Sequence, residues 1–132
     1  MVDVRVRTHE DGERISAAIH SLQPATPGVQ LETEGPIGRP SLEPTLRNQA
    51  LCRLARNYAT ELDLDLQQGI AGGGSDGNTT SQFTATLDGL GPVGDGAHAA
   101  HEHLYVARTL ERTALLTMLL LAPPHDAART AS

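Results

Sequence analysis

The chain has 132 residues, of which 39% are hydrophobic and only 2% aromatic, so its core has to be built from Leu, Val, Ile and Ala. The formal net charge is −6 and no lysine is present, which argues against nucleic acid as the main partner. A single cysteine, Cys52, excludes an internal disulfide and favours a reduced, cytoplasmic setting with a buried free thiol. No signal peptide is visible, and the apolar run Leu115–Leu121 is too short to span a membrane.

The first 38 residues are predicted to form a strand, a helix and a second strand. Apolar residues alternate with polar ones over Val2–Val6 and again over Val29–Thr33, which is the period of a half-buried strand. Thr8 is expected to cap the intervening helix, because acidic residues follow it in the first turn. The apolar stripe of that helix is predicted to contain Ile15, Ala18, Ile19 and Leu22. A lone βαβ unit buries little surface, so we expect further chain upstream.

A hinge is predicted in the Pro- and Gly-rich residues 35–44, and a long helix is predicted to follow it over Thr45–Leu62. Its buried stripe is expected to contain Leu51, Leu54, Ala55, Tyr58 and Leu62, with Arg47, Arg53, Arg56 and Glu61 facing solvent.

Five further predictions complete the chain. Short strands are expected over Leu64–Ile70 and Thr84–Leu87, with a short helix near Asp76–Gln82 between them. A last helix is predicted over Ala107–Leu121, and its end is apolar nearly all round, so it should need contacts on several sides. Residues 123–132 are expected to be a disordered tail.

The glycine-rich segment 72–78 is the first candidate site. Gly72, Gly73 and Gly74 precede Ser75, Asp76 and Asn78, and consecutive glycines before a helix leave backbone N–H groups that suit an anion or carboxylate. The segment lacks the lysine of a P-loop and the spacing of a dinucleotide fingerprint. The alternative is a simple tight turn capped by Ser75 or Asp76, which composition alone favours.

His98 is the second candidate, because it follows another glycine-rich turn and heads the string HAAHEH. On a helix, His98, His101 and Glu102 would share one face and could form a small zinc site. The alternative is that His101 and His103 belong to a solvated, polar helix start.

Arg39 is the third candidate. It lies in the hinge between Gly38 and Pro40, where a bidentate guanidinium could hold a carboxylate. The alternative is a surface ion pair with Glu34 or Glu43.

The order of these features is more specific than any one of them. A βαβ piece, GRPSLEPT, a long helix, GGGSDGN, LDGLGPVGDGAHAAHEH and a closing helix follow one another. This order resembles the C-terminal portion of the di-zinc aminoacylase, glutamate carboxypeptidase and acetylornithine deacetylase family of metallohydrolases. The resemblance extends to about Leu121.

The resemblance implies an α/β fold. Residues 1–38 would be the second half of an α+β lid or dimerisation domain, and residues 39–122 the end of a three-layer α/β/α catalytic domain. It also implies two zinc ions in the complete enzyme, of which His98 would bind one, with Glu102 in an acidic position beside that ligand. The substrate would be bound by Arg39, Gly73, Gly74, Ser75, Asp76 and Asn78.

Three functions are therefore expected in order of preference. The first is a zinc-dependent hydrolase acting on N-acyl amino acids or small peptides with a free carboxylate. The resemblance implies that its remaining metal ligands and its water-activating glutamate lie upstream, so this chain alone should be inactive. The second is a non-catalytic dimerisation or interaction module, paired with itself or with a complementary N-terminal half. The third is a small zinc or anion site using His98, His101 and Glu102.

Overall fold

A computed structural model describes residues 3–123, which form four α-helices and a small antiparallel sheet. The protein is therefore a mixture of helices with a small sheet, and the three-layer arrangement stays a prediction. The tail predicted over residues 123–132 lies outside the described residues, apart from Pro123. The elements in chain order are α1 (His9–His20), α2 (Leu46–Glu61), α3 (Asp76–Thr80), β1 (Gly94–Asp95), β2 (His103–Leu104) and α4 (Val106–Leu121).

The chain divides into two compact units. The first contains Met1–Glu43 and Ala71–Phe83, and the second contains Pro44–Ile70 and Thr84–Ser132. The glycine-rich segment thus belongs with the N-terminal part of the chain, whereas a boundary near residue 38 was expected from the family resemblance. The assignment of these parts to lid and catalytic domains stays a prediction.

Helix α1 begins as the sequence predicts. Thr8 is its N-cap, and the Thr8 side chain accepts a hydrogen bond of 3.1 Å from the backbone N–H of Asp11. The Arg14 guanidinium, 2.9 Å from the Asp11 carboxylate, and the Thr8 hydroxyl hold the pKa of that carboxyl below its usual value. The predicted apolar stripe is only partly correct, because Ile15 and Ile19 are half-buried while Ala18 and Leu22 are exposed.

The four predicted strands are not formed. The described part of Val2–Val6 has no strand, and neither do Val29–Thr33, Leu64–Ile70 and Thr84–Leu87. The predicted βαβ unit is therefore wrong. Alternation tells which side chains can be buried, but a strand also needs a neighbour that accepts and donates its backbone hydrogen bonds. The strand pair that does form, β1 with β2, aligns Gly94 with Leu104 and Asp95 with His103.

Helix α2 is confirmed almost to its predicted ends. Thr45 caps it by accepting a 3.3 Å hydrogen bond from the backbone N–H of Asn48. Every member of the predicted stripe is buried or half-buried. One expected solvent-facing residue differs, because Arg47 is half-buried. Cys52, expected to be buried, is also only half-buried.

The core of the second unit is the contact of α2 with α4. Its most buried side chains are Ala55 and Ala59 on α2 and Leu115 on α4, each at most 1% exposed. The prediction of a final helix at the end of the chain is confirmed by α4. Across residues 3–123, no helix combines the length and the apolar character needed to cross a bilayer.

The C-terminal end of α2 is closed by two backbone hydrogen bonds. The N–H of Leu64 donates to the carbonyl of Ala59 over 2.8 Å, and the N–H of Asp63 donates to the carbonyl of Thr60 over 3.1 Å. This pair of bonds defines a Schellman motif, whose turning residue usually is glycine. Here that residue is Asp63, which has a left-handed φ of 54°. A side chain at this position therefore carries a conformational cost.

We expect Asp63→Gly to stabilise the second unit by up to about 1 kcal/mol, because glycine adopts a left-handed φ without steric cost. Urea denaturation followed by circular dichroism measures the change. Asp63→Ala is the matched control, since it removes the carboxylate but keeps the β carbon, and it should not stabilise. Equal gains in both variants would show that the carboxylate, and not the backbone angle, is unfavourable.

Candidate functional site

Arg39 and the glycine-rich segment, far apart in the sequence, lie together in the first unit. A β carbon added to Gly74 would lie 3.2 Å from Cδ of Arg39 and 3.5 Å from its Nη1. Glycine at this position therefore lets the backbone approach the arginine side chain closely. Arg39 and the glycine-rich segment, which were both predicted to bind substrate, thus lie next to each other.

Asn78 joins this segment to the hinge. Its Nδ2 donates a hydrogen bond of 2.8 Å to the carbonyl of Pro40, and its Oδ1 accepts one of 2.8 Å from the backbone N–H of Ser75. Ser75 in turn accepts from the backbone N–H of Gly77 over 3.0 Å and caps α3. The simpler prediction, a turn capped by Ser75, is therefore confirmed. The amide of Asn78 is used on both sides and holds the loop against the residue after Arg39.

Two predicted members of the site remain open to solvent. Asp76 is the exposed first residue of α3, and Gly73 is exposed with no atom within 4 Å of an added β carbon. Arg39 is exposed as well, and the ion pairs found across residues 3–123 do not include it. The alternative ion pair of Arg39 with Glu34 or Glu43 is therefore not formed.

A second arginine, Arg5, contacts the same segment and was not among the predicted residues. Its Nη1 donates a hydrogen bond of 3.1 Å to the carbonyl of Gly72, and its Nη2 lies 3.3 Å from the carboxylate of Asp3. In the sequence Arg5 only fills a polar position of an alternating pattern, so no local signal marks it. The segment is thus flanked by two guanidinium groups, but the charge of Arg5 is compensated by Asp3, so Arg39 is the one of the two without a carboxylate partner among the described residues.

His98 lies in an exposed turn between β1 and β2 and not on a helix. Gly96 and His98 both have left-handed φ angles, of 70° and 66°. These angles turn the chain so that the N–H of Ala99 donates to the carbonyl of Gly96 over 2.8 Å. The predicted helical face of His98, His101 and Glu102 is therefore wrong, because left-handed residues interrupt a right-handed helix.

Glu102 acts on the backbone of this turn. Its Oε2 accepts a hydrogen bond of 3.2 Å from the backbone N–H of His98. The carboxylate thus fixes the main chain that carries the imidazole. The contact is to the backbone and not to the ring, so the expected role of Glu102 beside a metal ligand stays a prediction.

The other two histidines of the turn have structural contacts. Gly96 has a left-handed φ that strains any side chain, and an added β carbon there would also lie 2.6 Å from the ring of His101. The His103 ring nitrogen Nδ1 lies 3.0 Å from the carbonyl oxygen of His101, and the His103 ring meets Tyr105 edge-on at 5.2 Å. Neither residue belongs to a helix start, which was the alternative explanation from sequence.

These contacts do not form a zinc site. Zinc in proteins takes three or four protein ligands, and in residues 3–123 no three His, Cys, Asp or Glu side chains are grouped so that they could hold a metal ion. His98 is therefore a single candidate ligand, and the residues that the structure describes do not fit a zinc ion by themselves.

His9 and Asp11 also have the spacing of a His-x-Asp metal motif, but they are used by α1. The imidazole of His9 lies 3.3 Å from the carboxylate of Glu13, one turn along the helix. The carboxylate of Asp11 is held by Thr8 and Arg14. Both side chains thus make their contacts with neighbouring residues at the start of α1.

No family model matches this chain, and no curated protein or solved structure matches it. The assignment of function therefore rests on the order of the sequence motifs and on the geometry of two sites. The site of Arg39 and the glycine-rich segment belongs to the first unit, and the His98 turn belongs to the second.

We expect Asn78→Asp to destabilise the first unit by about 1–3 kcal/mol, because a carboxylate cannot donate to the carbonyl of Pro40. The variant still accepts from Ser75, so hydrogen exchange of the Ser75 amide should stay slow in Asn78→Asp and become fast in Asn78→Ala. Denaturation and amide exchange by NMR measure the two effects.

Thr79→Asp is the control for this experiment, since it adds the same charge to the same short helix at an exposed position. Wild-type stability in Asn78→Asp would contradict a role for the bond to Pro40.

Proposed function

We propose that this chain forms the C-terminal portion of a zinc-dependent metallopeptidase or amidohydrolase, which hydrolyses the amide bond of N-acyl amino acids or small peptides. The ordered strings GGGSDGN and GPVGDGAHAAHE support the family. In this proposal, residues 1–38 belong to the lid or dimerisation domain and residues 39–122 to the three-layer α/β/α catalytic domain. The setting is the cytoplasm.

The observation that carries the proposal is the approach of Arg39 to Gly74. The guanidinium is exposed, has no carboxylate partner in the described chain, and lies beside a backbone that glycine keeps uncovered. A planar guanidinium binds a carboxylate through two parallel hydrogen bonds. The arrangement suits a substrate with a free carboxylate, whose chain would lie along Gly73 and Ser75.

The metal chemistry needs residues beyond this site. Zinc-assisted hydrolysis requires an ion with an open coordination position and a positioned base, and His98 supplies one ligand at most. We therefore propose that the chain alone is inactive and that its partner is a complementary N-terminal half or another copy. The exposed ring of His98, on a backbone fixed by Glu102, is accessible to an ion whose other ligands come from that partner.

A second candidate function is a non-catalytic dimerisation or interaction module derived from such an enzyme. It is favoured by the last helix, where Leu116 and Leu120 are exposed although Leu115 is buried. Apolar residues grouped on one exposed surface are typical of proteins that associate with a partner.

We expect the chain to bind N-acetyl amino acids weakly, at about millimolar concentration, through Arg39. Titration followed by ¹⁵N NMR should shift the amides of Gly73, Gly74 and Ser75. Arg39→Gln should abolish these shifts, while Arg53→Gln, at an exposed position of α2, should leave them unchanged. The methyl ester of the same ligand lacks the carboxylate and should not bind. Equal binding of the ester, or by the Arg39→Gln variant, would contradict the proposed carboxylate site.

We expect isothermal calorimetry to show zinc binding weaker than about micromolar, with no change in the His98→Ala variant, because one imidazole is too few ligands. Assays with N-acetyl amino acids and zinc should give no hydrolysis by the chain alone. Tight, stoichiometric binding that is lost in His98→Ala would instead support the small self-contained zinc site.

A further inference from the structure

One face of α4 carries a regular row of uncharged side chains away from α2. The row consists of Val106, Leu110, Thr113, Thr117 and Leu120, and we call it the outer seam. Its members are spaced alternately four and three residues apart, which is the repeat by which helices pair in coiled coils. By helical geometry the seam lies opposite Leu115, the buried residue of this helix.

The apolar members of the outer seam are largely exposed. Val106, Leu110 and Leu120 are 68%, 67% and 77% exposed, and Leu116 and Leu121 flank the seam at 41% and 80%. Single exposed leucines are common on protein surfaces. A row of them at coiled-coil spacing over four helical turns is a surface that another helix can cover.

The threonines of the seam do not make it hydrophilic. The hydroxyl of Thr117 donates to the carbonyl of Thr113 over 2.8 Å, and the hydroxyl of Thr113 donates to the carbonyl of Thr109 over 2.8 Å. Each hydroxyl hydrogen is thus already used within the helix. A partner that covers this face would therefore leave none of these hydroxyl hydrogens without an acceptor.

The charges of α4 lie off the seam. Arg108 and Glu111 pair with each other at 2.9 Å, and Glu111 and Arg112 are half-buried. The seam and its flanking residues carry no charge at all. The best match for such a surface is another uncharged apolar helix face, because an ionic group placed against it would lose hydration without gaining a partner.

We propose that the outer seam of α4 is an interface with a second copy of this chain, in which the two α4 helices pair antiparallel. The antiparallel register that places Leu110 against Leu120 of the second copy also places Thr113 against Thr117. The twofold axis then repeats both contacts, with leucine layers at the two ends and threonine layers in the middle. One face is therefore complementary to itself, as a symmetric dimer requires.

The size of the seam predicts a weak dimer. A fully exposed aliphatic side chain contributes about 60–120 Å² of apolar surface. With the exposed fractions of Leu110, Leu116, Leu120 and Leu121, each copy buries roughly 150–300 Å². The pair then stays below the roughly 1,000 Å² of a stable interface, so the dimer should be reversible and form at about 10 µM to 1 mM.

Sedimentation equilibrium of the full chain over about 1 µM to 1 mM tests the proposal. The weight-average mass should rise from the 14.0 kDa of the monomer toward twice that value. Leu110→Glu and Leu120→Arg should each hold the mass at the monomer value over this range. Circular dichroism should show unchanged helix content in both variants, since both positions are exposed.

Mixing the two variants tests the register. In the antiparallel pair, Glu at position 110 of one variant faces Arg at position 120 of the other, while the second end keeps its two leucines. The mixture should therefore regain a mass above the monomer value, although neither variant does so alone. Failure of the mixture to associate would overturn the antiparallel register.

Leu46→Glu is the matched control, because Leu46 is 84% exposed and lies on α2, away from the seam. It should leave the association unchanged. A wild-type chain that stays monomeric to 1 mM would overturn the proposal and leave this face to another occupant, such as a β-sheet of a complementary chain. Undiminished association of Leu110→Glu would overturn it as well, by locating the contact elsewhere. The proposal concerns α4 alone and does not depend on the hydrolase function.

Discussion

The packing of α4 on the alanine face of α2 holds the second unit together. Ala55, Ala59 and Leu115 are almost completely buried, and small alanine side chains let two helices approach closely. Alanine also contributes little apolar area, so the close contact buries few large side chains. The consequence is visible on α4, where one leucine is buried and several others remain exposed. The same contact that makes the unit compact thus leaves apolar surface for a partner.

The first unit is held by a different kind of interaction. Its long-range contacts include hydrogen bonds from side chains to backbone carbonyls, such as those from Asn78 to Pro40 and from Arg5 to Gly72. Each such bond contributes about 0.5–1.5 kcal/mol. They stabilise the unit modestly but fix positions well, and this is what places the glycine-rich segment beside Arg39. Asn78 therefore contributes directly to the geometry of the candidate substrate site, because it binds both Ser75 and Pro40.

The sequence predicts the helices of this chain better than its strands, for a physical reason. A helix satisfies its own backbone, so the cap Thr8 of α1 and the apolar stripe of α2 are enough to locate these two helices. A strand depends on a neighbour that no local pattern specifies. Leu62, Leu64 and Leu66 do alternate in burial with exposed residues between them, yet no strand forms there. In the other predicted strands the alternation fails for burial too, because Val4, Val29 and Leu31 are exposed.

The candidate site shows the same division between local and long-range information. Ser75 as a helix cap follows from its neighbours, and so does the turn that contains Gly96. The approach of Arg39 to Gly74 was expected only through the resemblance to a family. The role of Arg5 had no signal, because it depends on a carbonyl at Gly72 in a distant part of the chain. Likewise, the sequence gives no signal for the left-handed φ of His98, because few residues other than glycine adopt this conformation.

We propose a further binding partner for two exposed features of the second unit, and the two reasons are independent. His98 offers an accessible imidazole on a turn fixed by Glu102, but one imidazole does not hold zinc. The outer seam of α4 presents apolar side chains at a spacing suited to a helix, but no described helix covers it. Under the proposed function, the other zinc ligands would come from residues that differ from those described here. The seam, by contrast, is complementary to itself, so a second copy of the same chain can cover it. The two proposals do not exclude each other, because His98 lies in the turn between β1 and β2 whereas the seam lies on α4.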